Sequence, residues 1–371
     1  MSEDLERITA ATAAVSVPGG FGPPPGTILF EKYRVESLLG LGATGVVVKA
    51  IEVASGQPVA IKLLRDDVDI DDDTRLRLMR EAGAAVRLRS MHAAKVRDVG
   101  NADGQPFMVM ELLEGMDLGR LLHANHRLDR TFAVELAFQA CDALAEAHGI
   151  GIIHRDVKPS NLFVTWQPDG NICAKVLDFG ISKTPQSEML ITSRAGVLGT
   201  PAYMSPEQMR SASAVDARTD VWSLGAVLYE IVEGHAPFQA PTYAEMCVLV
   251  TTEPMPAMTQ APELAPIVER CLAKEPEQRF QTIAELANAL APLTRDPTAS
   301  RARVPRMYRL TGKQAPFVSH ELAAVTPPPE PAPVRMPVRS AGMARVMTIA
   351  IVLLLALAVG LAIAFNTGLL E

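Results

Sequence analysis

The stretch GIIHRDVKPSNLFV, residues 150–163, constrains the fold more than any other part of the chain. Between two apolar runs it places His154, Arg155, Asp156, Lys158 and Asn161 within the positions 154–161. A charge taken out of water without a partner is costly, so the flanking runs must be interior segments that present these side chains at a surface or cleft. Such an arrangement needs a core large enough to anchor both runs. A chain of 371 residues with 48% hydrophobic content supplies one.

Between Tyr33 and Leu293 the patterning changes once. YRVESLL, GVVVKAIEV, PVAIKLL and PFMVMELL predict strands separated by Gly, Pro or Asp-Gly turns. From residue 130 the signal is helical: Ala133, Leu136, Ala137, Ala140, Leu144 and Ala147 recur at helical spacing, Asp129 can cap the start and Gly149 can end it. Strands first and helices afterwards predict an α+β molecule, a small sheet lobe joined to a larger helical lobe. VPGGFGPPPG, 17–26, marks the N-terminal edge, and residues 1–32 are expected to be a largely disordered arm.

LGLGATGVVVKA carries Leu39, Gly40, Leu41, Gly42, Ala43, Thr44, Gly45, Val46 and Val47, a G-x-G-x-x-G run followed by a β-branched segment. A dinucleotide-binding loop would lead into a helix, and a Walker A loop would need Gly-Lys-Ser/Thr. What remains is a hairpin lid whose bare glycines let backbone amides approach phosphates. Lys62 then ends an apolar strand, and RLRLMREAGAAVRL predicts a helix carrying Glu81. A strand lysine and a helix glutamate can pair and hold the ammonium over two phosphates. Taken alone, Glu81 is a weak signal, because a Glu on an arginine-rich helix is more often an exposed i,i+4 partner.

With HRDVKPSN, 154–161, and DFG, 178–180, the ordered set resembles the protein kinases over about residues 33–293. The resemblance implies a bilobal protein kinase fold: a small antiparallel lobe with one helix at 33–113 and a larger, mainly helical lobe at 114–293. It implies ATP with Mg²⁺, Mn²⁺ being an admissible substitute. Asp156 is then the catalytic base or orienter, Asn161 and Asp178 are metal ligands, and Lys158 neutralises the transferring phosphoryl. VMELLEG, 109–115, is similar to the hinge, with backbone groups of Glu111 and Leu113 for the adenine edge and Met110 at the back; Ala60 and Val47 cover the adenine faces. GTPAYMSPE and Lys158 imply protein substrates bearing Ser or Thr, and Thr200 is expected to position Asp156. Arg155 implies dependence on activation-loop phosphorylation, with Thr192 or Ser193 as the candidate sites. Asp220 is expected to hold the catalytic-loop backbone, and Glu207 to pair with Arg279. SMHAAKV departs from the family pattern at Ala93, Ala94 and Lys95. A pseudokinase scaffold is the alternative from another class, and the presence of Lys62, Glu81, Asp156, Asn161 and Asp178 argues against it.

The net charge of −7 gives no reason to expect nucleic acid as a partner. Residues 294–345 nevertheless carry nine Lys/Arg against three Asp/Glu, which leaves −13 for the rest. This basic, Pro-rich stretch is expected to be an extended linker, either a solvated spacer or one resting on anionic lipid. Residues 346–365 carry no charge and are long enough, at about 1.5 Å per helical residue, to cross a bilayer once. Arg335, Arg339 and Arg345 precede the run, so the larger part is expected on the cytoplasmic side of the plasma (inner) membrane and the tail 366–371 outside. No secretory signal is visible, and Cys141, Cys173, Cys247 and Cys271 show no metal-site spacing. The six aspartates within residues 66–73 read as a solvated loop or, less favoured, a regulatory or cation-binding one. The organisation resembles the eukaryotic-like Ser/Thr kinases of bacteria, and a homodimer is admitted among its partners.

Overall fold

The computed structural model describes residues 22–42, 45–64, 83–102, 105–167, 170–179, 201–210 and 215–312. The chain falls into two units, Met1–Pro316 and Phe317–Glu371, and every described residue belongs to the first.

Six antiparallel strands form the small lobe: β1 (Ile28–Leu29), β2 (Tyr33–Gly42), β3 (Gly45–Glu52), β4 (Pro58–Leu64), β5 (Val96–Ala102) and β6 (Gln105–Glu111), in the spatial order β1-β2-β3-β4-β6-β5. The four predicted strands are all present. The fifth long strand, VRDVGNA, has no such signature, because Arg97, Asp98 and Asn101 interrupt the alternation in a strand that forms the sheet edge. Period-two alternation then sorts the side chains. Val35, Val48, Ala50, Val59, Ile61, Leu63 and Val109 turn to one face and form a compact core with Tyr33. The residues between them point the other way, and the register sets Val47 opposite Lys62 and Ala60 opposite Met110. A polar lysine among apolar strand residues is thus delivered to the cleft by the pleat itself.

The larger lobe contains α1 (Leu118–Asn125), α2 (Arg130–Gly149), α3 (Pro206–Arg210), α4 (Arg218–Glu233), α5 (Tyr243–Thr252), α6 (Ala265–Cys271), α7 (Ile283–Leu290) and α8 (Pro297–Leu310). A small sheet joins β7 (Met116–Asp117), β8 (Leu162–Trp166) and β9 (Ile172–Val176). Helix α2 forms where predicted. The Asp129 carboxylate accepts the Phe132 N–H, satisfying one of the orphan donors at the N-terminus, and the helix ends at Gly149. It is buried along most of its length and packs against α4, α7, α8 and β9.

Two expectations need correction. The linker does not begin at residue 294, because Pro297–Leu310 is helix α8. Asp296 caps it by accepting the Thr298 and Ala299 amides, Pro297 occupies its first turn, and Val304, Met307 and Tyr308 recur at helical spacing to bury one face. At its far end Gly149 makes room: a Cβ there would lie 2.5 Å from the Leu310 carbonyl oxygen. Likewise the arm 1–32 is ordered at its end. Strand β1 pairs with β2, and Phe30 stacks on Phe107 with ring centroids 3.7 Å apart. Among the described residues no helix is long and apolar enough to cross a membrane. The run 346–365, the remaining linker 313–345, the tail 366–371 and the aspartate-rich 66–73 lie outside them.

Candidate active site

The charged loop of residues 154–161 sits between α2 and β8, and its shape is imposed from below by α4. Asp220 on α4 is fully buried. Its Oδ2 accepts from the His154 amide at 2.9 Å and stands 2.7 Å from His148 Nε2, while Oδ1 accepts the Arg155 amide at 2.8 Å. Burial alone would raise this carboxyl; the hydrogen bond and charge of His148, with the His154 amide, outweigh it and hold the group below the usual carboxylate range. These bonds keep Arg155 at φ 62°, a left-handed conformation that costs a non-glycine residue roughly 1–3 kcal/mol. Gln208 Nε2 donates to the Arg155 carbonyl at 2.8 Å and secures the other side of the same residue.

His154 is buried and fixed in one tautomer. The Asp156 amide donates to its Nδ1 at 3.2 Å, so Nε2 carries the proton and donates to the Leu177 carbonyl at 2.7 Å. Its ring meets Phe179 edge-on at 5.2 Å. One imidazole therefore ties the catalytic loop to the segment that bears Asp178.

Asp156 Oδ2 is held by Lys158 Nζ at 2.9 Å and by Asn161 Nδ2 at 3.1 Å. Asn161 Nδ2 also donates to the Asp156 carbonyl at 2.8 Å, which commits its amino group and leaves Oδ1 as the atom that could meet a cation. The β8–β9 ladder then aligns two residues far apart in sequence. Leu162 pairs with Val176, and the Leu177 amide donates to the Asn161 carbonyl at 2.9 Å, so Asn161 and Asp178 emerge side by side. Asp178 takes φ 53°, and its Oδ2 lies 2.8 Å from Lys62 Nζ, whose side chain is 7% exposed. An aspartate carboxylate beside an amide oxygen is a hard oxygen pair that suits Mg²⁺ or Mn²⁺, with substrate phosphate and water completing the shell. Among the described residues no cluster of three or more His, Cys, Asp or Glu could hold a metal by itself.

Around this centre Gly40 and Gly42 lie in β2 and Gly45 to Val47 in β3; Leu39 and Leu41 are exposed. Met110 and Glu111 end β6, and Leu113 follows in the connection to β7. The Glu111 amide donates to the Lys95 carbonyl at 2.9 Å. Its carboxylate receives the Lys95 amide at 2.8 Å and Lys175 Nζ at 2.7 Å, bracing the hinge. Glu207 and Arg279 form the expected pair, bidentate at 2.7 and 2.8 Å. Glu81, Ala43, Thr44, Thr192, Ser193 and Thr200 lie outside the described residues.

Sequence reasoning missed the supports. His148 and Gln208, which brace Asp220 and Arg155, carry no motif. The divergent SMHAAKV segment docks on β9, with the Ala94 amide donating to the Val176 carbonyl at 2.9 Å and the Val176 amide to the His92 carbonyl at 2.7 Å. Backbone pairing tolerates Ala93 and Ala94 there because it asks nothing of the side chain.

A small antiparallel lobe, a larger helical lobe and this constellation in the cleft define the protein kinase class of phosphotransferase folds. Residues 33–290 match the family model described as the protein kinase domain, and the chain belongs to that family. It is 37% identical over 267 residues to the Serine/threonine-protein kinase PknB of Mycobacterium leprae, covering 70% of this chain and 42% of the relative. It is 38% identical over 265 residues to the Serine/threonine-protein kinase pkn3 of Myxococcus xanthus, covering 68% and 48%. The chain thus spans less than half the length of these curated relatives. The crystal structure of the Mycobacterium tuberculosis PknI kinase domain superposes with a TM-score of 0.59 at 27% identity, covering 72% of this chain and 98% of that one.

Proposed function

We propose that this protein is an ATP-dependent Ser/Thr protein kinase that transfers the γ-phosphoryl group to Ser or Thr hydroxyls of protein substrates. The observation that carries the reading is the convergence of Lys62 and Asp178 at 2.8 Å beside Asp156, Lys158 and Asn161. Asp156, oriented by Lys158 and Asn161, accepts the hydroxyl proton as the substrate oxygen attacks. Lys158 meets the charge on the transferring group, and Lys62 fixes Asp178 and grips the phosphates. Mg²⁺, when bound at Asp178 and Asn161, neutralises phosphate charge. Pre-set positions and electrostatics supply most of the rate, since phosphoryl transfer asks little covalent chemistry of the protein. A catalytically silent scaffold would have no need to keep this geometry.

Two further parts of the reading have their own support. Arg155 Nε is buried with no hydrogen-bond partner among the described residues, which suits a guanidinium awaiting a phosphate from Thr192 or Ser193. The uncharged run 346–365 behind Arg335, Arg339 and Arg345 supports a single-pass membrane anchor with the kinase domain cytoplasmic.

The test is transfer from labelled ATP with Mg²⁺ to a Ser/Thr-containing protein by the detergent-solubilised full chain, beside Asp156→Asn. Transfer by the parent and a loss of at least a hundredfold in the variant are expected. Absence of transfer by both, with either metal, would return the scaffold reading. Phosphopeptide mapping of the active enzyme should find Thr192 or Ser193 modified, and carbonate-resistant membrane association should vanish when residues 346–371 are deleted.

A further inference from the structure

Helix α8 begins at Pro297, beyond the residues 33–290 that match the kinase family, yet its side chains reach the machinery that sets the active site. The link runs through α2. That helix carries two buried acids one turn apart, Asp142 at 3% exposure and Glu146 at 8%. Buried carboxylates must find donors, and these find them on opposite sides.

On the first side is the segment leading out of the Glu81-bearing stretch. Glu146 accepts the Arg89 amide at 3.0 Å and the Ser90 amide at 2.5 Å, while Ser90 Oγ donates to Asp142 Oδ2 at 2.6 Å. On the second side is α8. Arg306 Nη1 donates to Asp142 Oδ1 at 2.8 Å, Arg303 Nη2 lies 3.7 Å from Asp142 Oδ2, and Arg306 Nη2 lies 3.8 Å from Glu146 Oε2. The held segment continues directly to the cleft. His92 and Ala94 pair with Val176 through bonds of 2.7 and 2.9 Å, and Val176 is two residues before Asp178. A chain of bonds of 3.0 Å or less therefore connects Arg306 to the strand end that bears the metal-binding aspartate.

We propose that Arg303 and Arg306 are positioning residues for phosphoryl transfer: they hold Asp142 and Glu146 in the orientation that locks residues 89–94 onto β9 and so fixes Asp178 opposite Lys62. The inference rests on the kinase reading above. Without the arginines Asp142 is a buried carboxylate whose remaining donor among the described residues is the Ser90 hydroxyl, a state that favours rotation toward water and a shift of the Ser90 contact. That rotation loosens Ser90. The seat of α8 itself does not depend on these charges, because Val304, Met307 and Tyr308 bury its apolar face. The catalytic unit of this chain accordingly extends to about residue 312, and the stretch leading to the basic linker starts from a helix wired to the active site.

The experiment uses the full chain with Arg303→Gln/Arg306→Gln, the rescue pair Arg303→Lys/Arg306→Lys, and Arg301→Gln/Arg309→Gln as a control that removes the same charge from positions of the same helix that form no ion pair among the described residues. Steady-state transfer to a Ser/Thr-containing protein is read beside hydrogen exchange of peptides covering residues 83–94. The Gln pair should lower kcat at least tenfold, leave KM for the protein substrate within threefold, and speed exchange at residues 89–94 at least tenfold with α4 unchanged. The Lys pair should recover to within threefold of the parent, and the control should stay within twofold. A Gln pair with kcat within twofold and protected 89–94 amides would overturn the proposal, as would an equal loss in the control or a loss of protection spread evenly through α2, α4 and α7. A parent without transferase activity would count against the kinase reading alone, and the exchange data would still decide whether the arginines hold residues 89–94.

Discussion

Asp220→Asn tests whether the catalytic loop is held by one buried carboxylate. In the parent, Oδ2 serves His154 N–H and His148 Nε2 and Oδ1 serves Arg155 N–H, all at 2.7–2.9 Å. An asparagine placed with its oxygen at the Oδ2 position keeps two of these bonds but turns an amino group toward the Arg155 amide. That leaves a buried N–H unsatisfied, at about 1–3 kcal/mol, and each surviving bond loses roughly 1 kcal/mol because its acceptor is no longer charged. The sum is about 3–5 kcal/mol. For a domain whose total stability is roughly 5–15 kcal/mol the variant should still fold, with a melting temperature lower by about 10 °C. Arg155, left with only the Gln208 bond to its carbonyl, is then less firmly held at φ 62°, and Asp156 moves with it. Since a misplacement of about 1 Å can cost a hundredfold in rate, kcat should fall at least that much at temperatures where the variant is fully folded. Sign follows from the depressed carboxyl: its contribution is complete above the unfolded value near pH 4 and disappears as pH falls through the lower folded one, a limb the variant should lack. Differential scanning calorimetry and a transfer assay on the same preparation decide it. A variant within about 1 kcal/mol and tenfold of the parent would refute the assignment of Asp220 as the loop's anchor.

His92 is buried, and burial first and then Arg303 push its imidazole down to about 4, although the Ala174 carbonyl bound to Nδ1 at 3.0 Å pulls the other way. Because the folded value lies below the unfolded one near 6.5, stability should be complete above about pH 6.5 and fall by on the order of 3 kcal/mol as pH drops toward 4. His92→Asn, which can still donate to Ala174, should flatten urea-derived stability over that window; an unchanged slope would assign the loss elsewhere. Arg279→Lys should destabilise by roughly 3–5 kcal/mol despite keeping the charge, because an ammonium cannot make both bonds to Glu207 and also satisfy the Ala273, Lys274 and Arg218 carbonyls from beside Trp222. Chemical denaturation measures it, and a loss under about 1 kcal/mol would mean the pair is an ordinary surface bridge.

The parts of the site that were legible in sequence are those where the chemistry fixes both residue and spacing. Asp156, Lys158 and Asn161 share one tight loop, so their relative placement is nearly local. Lys62 was legible because a lysine in an apolar strand is anomalous, and the pleat explains the anomaly. The strands β2, β3, β4 and β6 announced themselves through Val, Ile and Leu. Strand β5 did not, because an edge strand can be polar and still complete its ladder through backbone groups alone.

What stayed hidden is the set of residues whose role depends on a partner distant in sequence. Asp142 and Glu146 sit in AFQACDALAEAHG, where two acids four apart among alanines and other small or apolar residues signal a buried polar link, yet nothing local says that one end is Ser90 and the other Arg306. The same physics explains why residues 294–312 read as linker. Their arginines and Pro305 weigh against a packed helix when hydropathy alone is counted, yet Arg301 and Arg309 stay exposed while Arg303 and Arg306 reach the buried Asp142 on α2. Apolar residues at three positions seat the helix, while the arginines determine which acids it meets. A basic segment is therefore solvated spacer or structural element according to whether the surface it can reach offers both an apolar seat and acidic partners, and α2 offers Asp142 and Glu146.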